Sequence, residues 1–188
     1  MMNVPKVAIL LAEGFEEAEA IIIYDALCRV KIDVHLLACE NNIKVKSYHG
    51  IEMRSHGLLK DKQNTLYDAV ILPGGPDGTV NLGNNINVID FIKHHDKENK
   101  WICPICSAAA KVLSKNNLLN GRKYVCSGDL YKNVQDGIFV DQDVVCDANL
   151  FSGKGLGIAF KFAFTLAELL KLDEEEIRFQ AEHIYIDY

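Results

Sequence analysis

Three short runs of nearly unbroken apolar residues limit what this chain can become: VPKVAILLA at 4–12, YDAVILP at 67–73 and WICPI at 101–105. A strand that alternates apolar and polar residues leaves one face wet, whereas a strand apolar at every position must be covered on both. Each run stops at a corner, EGFEEAE, GGPDG or CSAAA. Strands of this kind, separated by helical segments, predict a mostly parallel sheet with helices on both faces, a three-layer α/β sandwich.

The remaining segments keep the alternation. Residues 15–30 predict a helix with acids in its first turn, where the helix dipole favours them. Residues 33–39 read as a second strand, and 43–56 as a hairpin excursion broken at Tyr48-His49-Gly50. Helices are expected at 86–96, 107–115, 157–170 and 174–181, and further short strands at 123–126, 143–146 and 149–152. No period of 20–50 residues recurs. A chain of 188 residues can bury its own core, so one domain over 1–188 is expected.

Composition removes several classes of function. The net charge is −6 and no basic tract exceeds two residues, which argues against nucleic acid as a partner. No apolar run reaches the roughly 18–20 residues that span a bilayer, so no membrane partner is expected. The opening residues lack the basic stretch and cleavage site of a secretory signal, and a cytoplasmic location is the expectation. Cysteines at 28, 39, 103, 106, 126 and 146 then have no disulfide framework to serve. A single C-x-x-C (Cys103 to Cys106) and no H-x-x-x-H give no zinc pattern, so neither metal nor cofactor is expected. Thioredoxin-like exchange is also disfavoured: Cys103 lies within a strand, and its side chain is expected on the face opposite Cys106.

Right-handed crossovers place the strand-to-helix corners on one edge of the sheet, where open α/β sheets bind ligands. Cys106 stands at such a corner, before the 107–115 helix, whose free N–H groups and dipole are expected to lower its thiol pKa. The other reading is a buried cysteine that merely ends a strand. Gly74-Gly75 permits positive φ and close backbone approach, with N–H groups available to an oxyanion, or is an ordinary turn. Glu19 shares a helix face with Ile22, Ile23 and Ala26, whereas Glu16 and Glu17 are expected nearer the exposed end. A carboxyl buried there beside a thiol would keep a raised pKa and share a proton with it; a solvated Glu19 would do neither.

The ordered set AEGFEEAE, ILPGG and ICSAAA, with a late G-x-G-x-x-F at Gly155, Gly157 and Phe160, resembles the ThiJ/PfpI superfamily over nearly the whole chain. The resemblance is to the branch of the Parkinson-disease protein deglycase. It implies a flavodoxin-like sandwich, of the class I glutamine amidotransferase-like type, that forms homodimers. It also implies Cys106 as the reactive thiol, Glu19 as its carboxyl partner, and Gly74, Gly75 and Ser107 around the sulfur or oxyanion. The activities implied are cofactor-free glyoxalase action on 2-oxoaldehydes such as methylglyoxal and glyoxal, and repair of glycated protein side chains. Chaperone action and oxidant sensing through a Cys106 sulfinate form the alternative.

Two departures stand out. Relatives often carry a histidine after the strand at 123–126, where this chain reads YVCSGDL with Cys126 and Ser127. The six histidines lie elsewhere, so Glu19 alone, or His49 across a subunit contact, is left for proton work. The stretch SGKGLG also lacks the proline of the relatives' S-x-G-P-G.

Overall fold

The structure is a computed structural model that describes residues 4–188. The first half runs β1 (Lys6–Leu11), α1 (Glu17–Arg29), β2 (Asp33–Ala38), β3 (Lys44–Lys46), β4 (Glu52–Arg54), β5 (Gly57–Leu58) and β6 (Ala69–Leu72). Then follow α2 (Pro76–Asn84), α3 (Ile86–Lys97), β7 (Trp101–Pro104), β8 (Lys123–Tyr124) and β9 (Ile138–Phe139). The chain closes with β10 (Val144–Asp147), β11 (Leu150–Gly153), α4 (Ala159–Leu169) and α5 (Glu174–His183).

Among the described residues the main sheet has the order β10-β11-β7-β6-β1-β2-β5, parallel except for β10 against β11. The expected hairpin is β3 paired with β4, outside the main sheet. Alternation along the strands then divides the core. Val7, Ile9, Leu11 and Ile71 face α1, α4 and α5, meeting Ile23, Leu27, Phe162 and Ile177. Ala8, Leu10, Val70 and Ile102 face the other layer, meeting Val88, Phe91 and Ile92 of α3 with Val112 and Leu113. Both faces are dry, which is why these strands read as unbroken apolar runs. The arrangement is the flavodoxin-like sandwich that the sequence led us to expect.

The structure departs from expectation in three places. Residues 76–84 form helix α2, starting from Gly75 with Pro76 at its first position, where a missing N–H costs nothing. The expected 107–115 helix is instead a π-helical turn at Ala109–Leu113 followed by a 3-10 turn at Ser114–Asn116. The strand expected at 123–126 is only β8, and it pairs with β9 rather than joining the main sheet. None of the described helices is long and apolar enough to cross a membrane.

Candidate active site

The parallel strands run β2-β1-β6-β7-β11, so the chain leaves β1 to one side for β2 and to the other for β6. The carboxyl ends of β1 and β6 therefore border the point where strand order reverses, the crevice that such sheets use for ligands. All three corners come to it. Glu16 N–H donates to the Gly74 carbonyl at 3.0 Å, joining the first corner to the second. Ile105 N–H donates to Leu72 O at 3.0 Å, joining the third to the end of β6.

Glu19 is fully buried, at 0% exposure. Its Oε2 accepts the Gly74 N–H at 2.7 Å, while Oε1 is buried with no partner among the described residues. One hydrogen bond does not compensate a carboxylate for lost water. Burial accordingly pushes the Glu19 carboxyl up to about 7, against the pull of the Gly74 N–H and the Cys106 thiol and with a small push from Glu16. Near neutral pH this acid can both give and take a proton, which is what general acid–base work requires.

Cys106 is half-buried and has a φ of +60°, in the left-handed region that non-glycine residues enter at a cost of about 1–2 kcal/mol. It is held there from both sides. Its N–H donates to Gly153 O at 3.0 Å, and its carbonyl accepts the Ser127 N–H at 3.0 Å. The thiol pKa is raised, not lowered as the helix-start argument predicted. Burial is the main cause and the Glu19 charge the second; the Ser127 hydroxyl and the Ser107 N–H pull the other way without prevailing. Burial is thus the main cause that pushes both Glu19 and Cys106 toward their protonated forms.

Gly74 leaves room for that pair. A methyl group built there would lie 2.7 Å from Cys106 Cβ, 2.8 Å from Glu19 Oε2 and 3.0 Å from the sulfur. Gly75 has a φ of +104°, and its methyl would come 2.3 Å from the Gly14 carbonyl oxygen. Its own carbonyl is braced by Thr79, which donates from N at 3.1 Å and from Oγ1 at 2.8 Å. Ser107 is buried, with Oγ 3.3 Å from Thr79 Oγ1, so its hydroxyl ties the turn to α2 while its N–H faces the sulfur. Gly75→Ala combines forbidden φ with a backbone clash and is expected to cost about 3 kcal/mol. A thermal melt is expected to show this as a fall of about 6–12 °C.

Two further expectations are corrected. Glu17 is buried rather than exposed, because His49 of the β3–β4 hairpin covers it and binds its Oε1 through Nδ1 at 2.8 Å. Burial pushes the Glu17 carboxyl up, but hydrogen bonding from its own backbone, then from His49 and Ser47, together holds it below its ordinary range. Glu16 also brings an oxygen within 4.8 Å of this pair, a spacing seen in metal sites, but Glu17 and His49 satisfy one another here. Cys103 does not point away from Cys106: both pack on the α1/α4 side, because Cys106 has left the extended conformation that the alternation rule assumed. Cys103 is nonetheless sealed at 0% exposure with its thiol pushed far up, so it is no exchange partner. The six cysteines are all unpaired.

Sequence reading assigned no role to two residues at the sulfur. A methyl at Gly155 would lie 4.0 Å from Sγ, and the Ser127 N–H donates to the Cys106 carbonyl at 3.0 Å. The available signals were the late glycine pair and the replacement of the relatives' histidine. A cavity of about 360 Å³ beside the corner, lined by Glu13, Gly14, Lys46, Ser47, Tyr48 and Asp77 among others, does not include Cys106 or Glu19.

Fold and corner together define an α/β protein with a thiol and a protonatable carboxyl at the switch point of a flavodoxin-like sheet. Residues 5–169 match the DJ-1/PfpI family, and the chain belongs to it. Protein DJ-1 homolog B of Arabidopsis thaliana is 28% identical over 87% of this chain but only 37% of its own length, so the chain spans under two-fifths of that relative. Glutathione-independent glyoxalase DJR-1.2 of Caenorhabditis elegans is 29% identical over 93% of this chain and 94% of its own. A crystal structure of a cysteine-to-alanine variant of a DJ-1 superfamily protein from Salmonella typhimurium is 55% identical, with a TM-score of 0.96 over 98% of this chain and 100% of that one.

Proposed function

We propose that this chain is a cofactor-free glyoxalase or protein deglycase that converts 2-oxoaldehydes, or their adducts on protein side chains, to 2-hydroxy acids. The observation that carries the reading is a buried carboxyl, poised near pH 7, against the thiol of Cys106. The kinship with a glutathione-independent glyoxalase supports it. Cys106 adds as thiolate to the aldehyde carbon, giving a hemithioacetal whose oxyanion meets the Gly75 and Ser107 amides. Glu19 takes the proton from that carbon and returns it to the neighbouring one through an enediol, leaving a thioester. Water then releases the acid and the free thiol, so methylglyoxal and one water give lactate.

The test is a panel of glyoxal, methylglyoxal and larger 2-oxoaldehydes, with the hydroxy acid measured directly. Turnover of methylglyoxal to lactate without glutathione or added metal is expected; absence of any hydroxy acid across the panel rejects the reading. A single domain, a cytoplasmic location and a homodimer belong to the same proposal. Ile21, Tyr48 and Ile51, exposed on α1 and around the hairpin, support the last of these.

One observation favours a second role. Glu19 Oε1 is buried without a partner beside a half-buried thiol, and a protonated carboxyl there would donate to an oxygen added at the sulfur. In this alternative Cys106 is an oxidant sensor. Mild peroxide would then add two oxygens at Cys106 alone, read by mass spectrometry, in a protein that leaves methylglyoxal untouched.

A further inference from the structure

The two amides assigned to the oxyanion, those of Gly75 and Ser107, come from different corners, and their separation decides whether one oxygen can meet both. Each belongs to a peptide whose carbonyl is held. The Gly75 N–H shares its peptide plane with the Gly74 carbonyl, which takes the Glu16 N–H at 3.0 Å. The Ser107 N–H shares its plane with the Cys106 carbonyl, which takes the Ser127 N–H at 3.0 Å. Those bonds set the direction of each amide. They do not set the distance from one to the other.

Helix α2, which starts from Gly75, supplies that link. Thr79 lies in its first turn, fully buried. Its Oγ1 donates to the Gly75 carbonyl at 2.8 Å, beside the ordinary helical bond from its N–H at 3.1 Å. The same oxygen lies 3.3 Å from the buried Ser107 Oγ. A hydroxyl has one proton and a carbonyl can only accept, so the Thr79 proton is committed to Gly75 and Ser107 is the donor to Thr79. One turn further on, Gly83 lets α2 close on the same segment: a methyl there would lie 2.6 Å from the Lys111 carbonyl oxygen. Asn116 fastens this end, its Nδ2 donating to Gly83 O at 3.0 Å and to Val112 O at 2.9 Å. Thr79 is the rung at the cysteine end. A threonine bonded to the carbonyl four residues back is common in helices. The second bond, across to the residue after the cysteine, is not explained by that habit.

We propose that Thr79 is a positioning residue for the reaction, its hydroxyl holding the Gly75 and Ser107 amides at the spacing that a single oxyanion needs. It rests on the reading above for the identity of the two amides. Thr79 touches no reacting atom and acts through the two corners it joins. Thr79→Val keeps the shape and the helical bond but loses the hydroxyl, whereas Thr79→Ser keeps the hydroxyl.

The experiment measures, by fluorine NMR on the full chain, the reversible adduct of trifluoroacetaldehyde with Cys106. This aldehyde has no second carbonyl, so it reports the tetrahedral adduct without the proton transfer; Cys106→Ala identifies the signal by its loss. Thr79→Val is expected to weaken the adduct about tenfold, and to lower kcat for methylglyoxal about tenfold with KM within about twofold. Thr79→Ser is expected to stay within about twofold of wild type in each. Alkylation of Cys106 by iodoacetamide builds no oxyanion and is expected to keep its wild-type rate in both variants, whereas general damage to the corner would slow it as well. If the valine variant does not fold, Thr79→Ala is read in the same way. A wild-type adduct strength in the folded valine or alanine variant overturns the proposal, as does a serine variant as weak as the valine one, an alkylation rate that falls with the adduct, or a wild type that forms no adduct. A weakened adduct in the valine variant, where the wild type yields no hydroxy acid, would reject the glyoxalase reading and leave Thr79 its role. Turnover of methylglyoxal with an unchanged adduct and kcat in the valine variant would do the reverse.

Discussion

Cys106→Ala is expected to lower lactate formation from methylglyoxal by about a thousandfold or more. The expectation rests on the covalent step, because nothing else at the corner can replace the sulfur. Ser107 is buried, with its hydroxyl against Thr79, and Cys103 is sealed in the core. The Ser127 hydroxyl has an alcohol's weak nucleophilicity. Loss of fold is not the cause to expect, since both backbone bonds that hold residue 106, to Gly153 and from Ser127, survive the substitution. Cys106→Gly gives the matching control. It is equally inactive, but glycine occupies a φ of +60° without strain, so its stability is expected to equal or exceed that of the alanine variant by about 1 kcal/mol. Lactate formation at the wild-type rate in the alanine variant would end the proposal that this thiol does the chemistry.

Much of the fold could be read from the residues because of a single physical circumstance. Strands covered on both faces are apolar at nearly every position, and β1 after Lys6, β6 and β7 show this without interruption. Helix α2 carries no such mark. Gly78, Gly83, Asn81 and Asn84 are weak helix formers, and the helix owes its place to tertiary contact: a methyl at Gly78 would lie 2.7 Å from the backbone of Phe15. The site divides along the same line. Helical periodicity put Glu19 with the apolar stripe of α1, and it is fully buried there. The same rule put Glu17 outside, and failed because a hairpin thirty-odd residues away lays His49 over it. A helix start can be recognised in CSAAA and suggests a lowered thiol pKa. The desolvation that reverses the sign depends on how deeply three distant corners close around the sulfur. Ser127 showed only as a replacement for the relatives' histidine, since a loop-to-loop backbone bond has no period to betray it.

Glu19→Gln is expected to move activity and stability in opposite directions, and the two together test the state of this carboxyl. Lactate formation at pH 7 is expected to fall about 10²–10⁴-fold, the usual worth of a positioned acid–base group. Stability above neutral pH is expected to rise. The Glu19 pKa stands at about 7 in the folded protein, against 4.5 for the ordinary side chain. Between those values the folded state binds more protons than the unfolded one, so stability falls as pH rises. The contribution of neutral Glu19 is full below pH 4.5 and lost as pH passes through about 7. The whole difference is about 3 kcal/mol, or about 6–12 °C in melting temperature. A glutamine cannot ionise; its amide oxygen can keep the Gly74 N–H bond while its NH₂ takes the place of the unpartnered oxygen. The variant is therefore expected to match wild type near pH 5 and to melt higher at pH 8. Other carboxyls titrate in both proteins, so the difference between the two melting curves, rather than either alone, reports this group. Identical curves from pH 5 to 8 would mean that Glu19 is already an ordinary carboxylate, and a variant that kept the wild-type rate would mean that its proton is not the one the reaction moves.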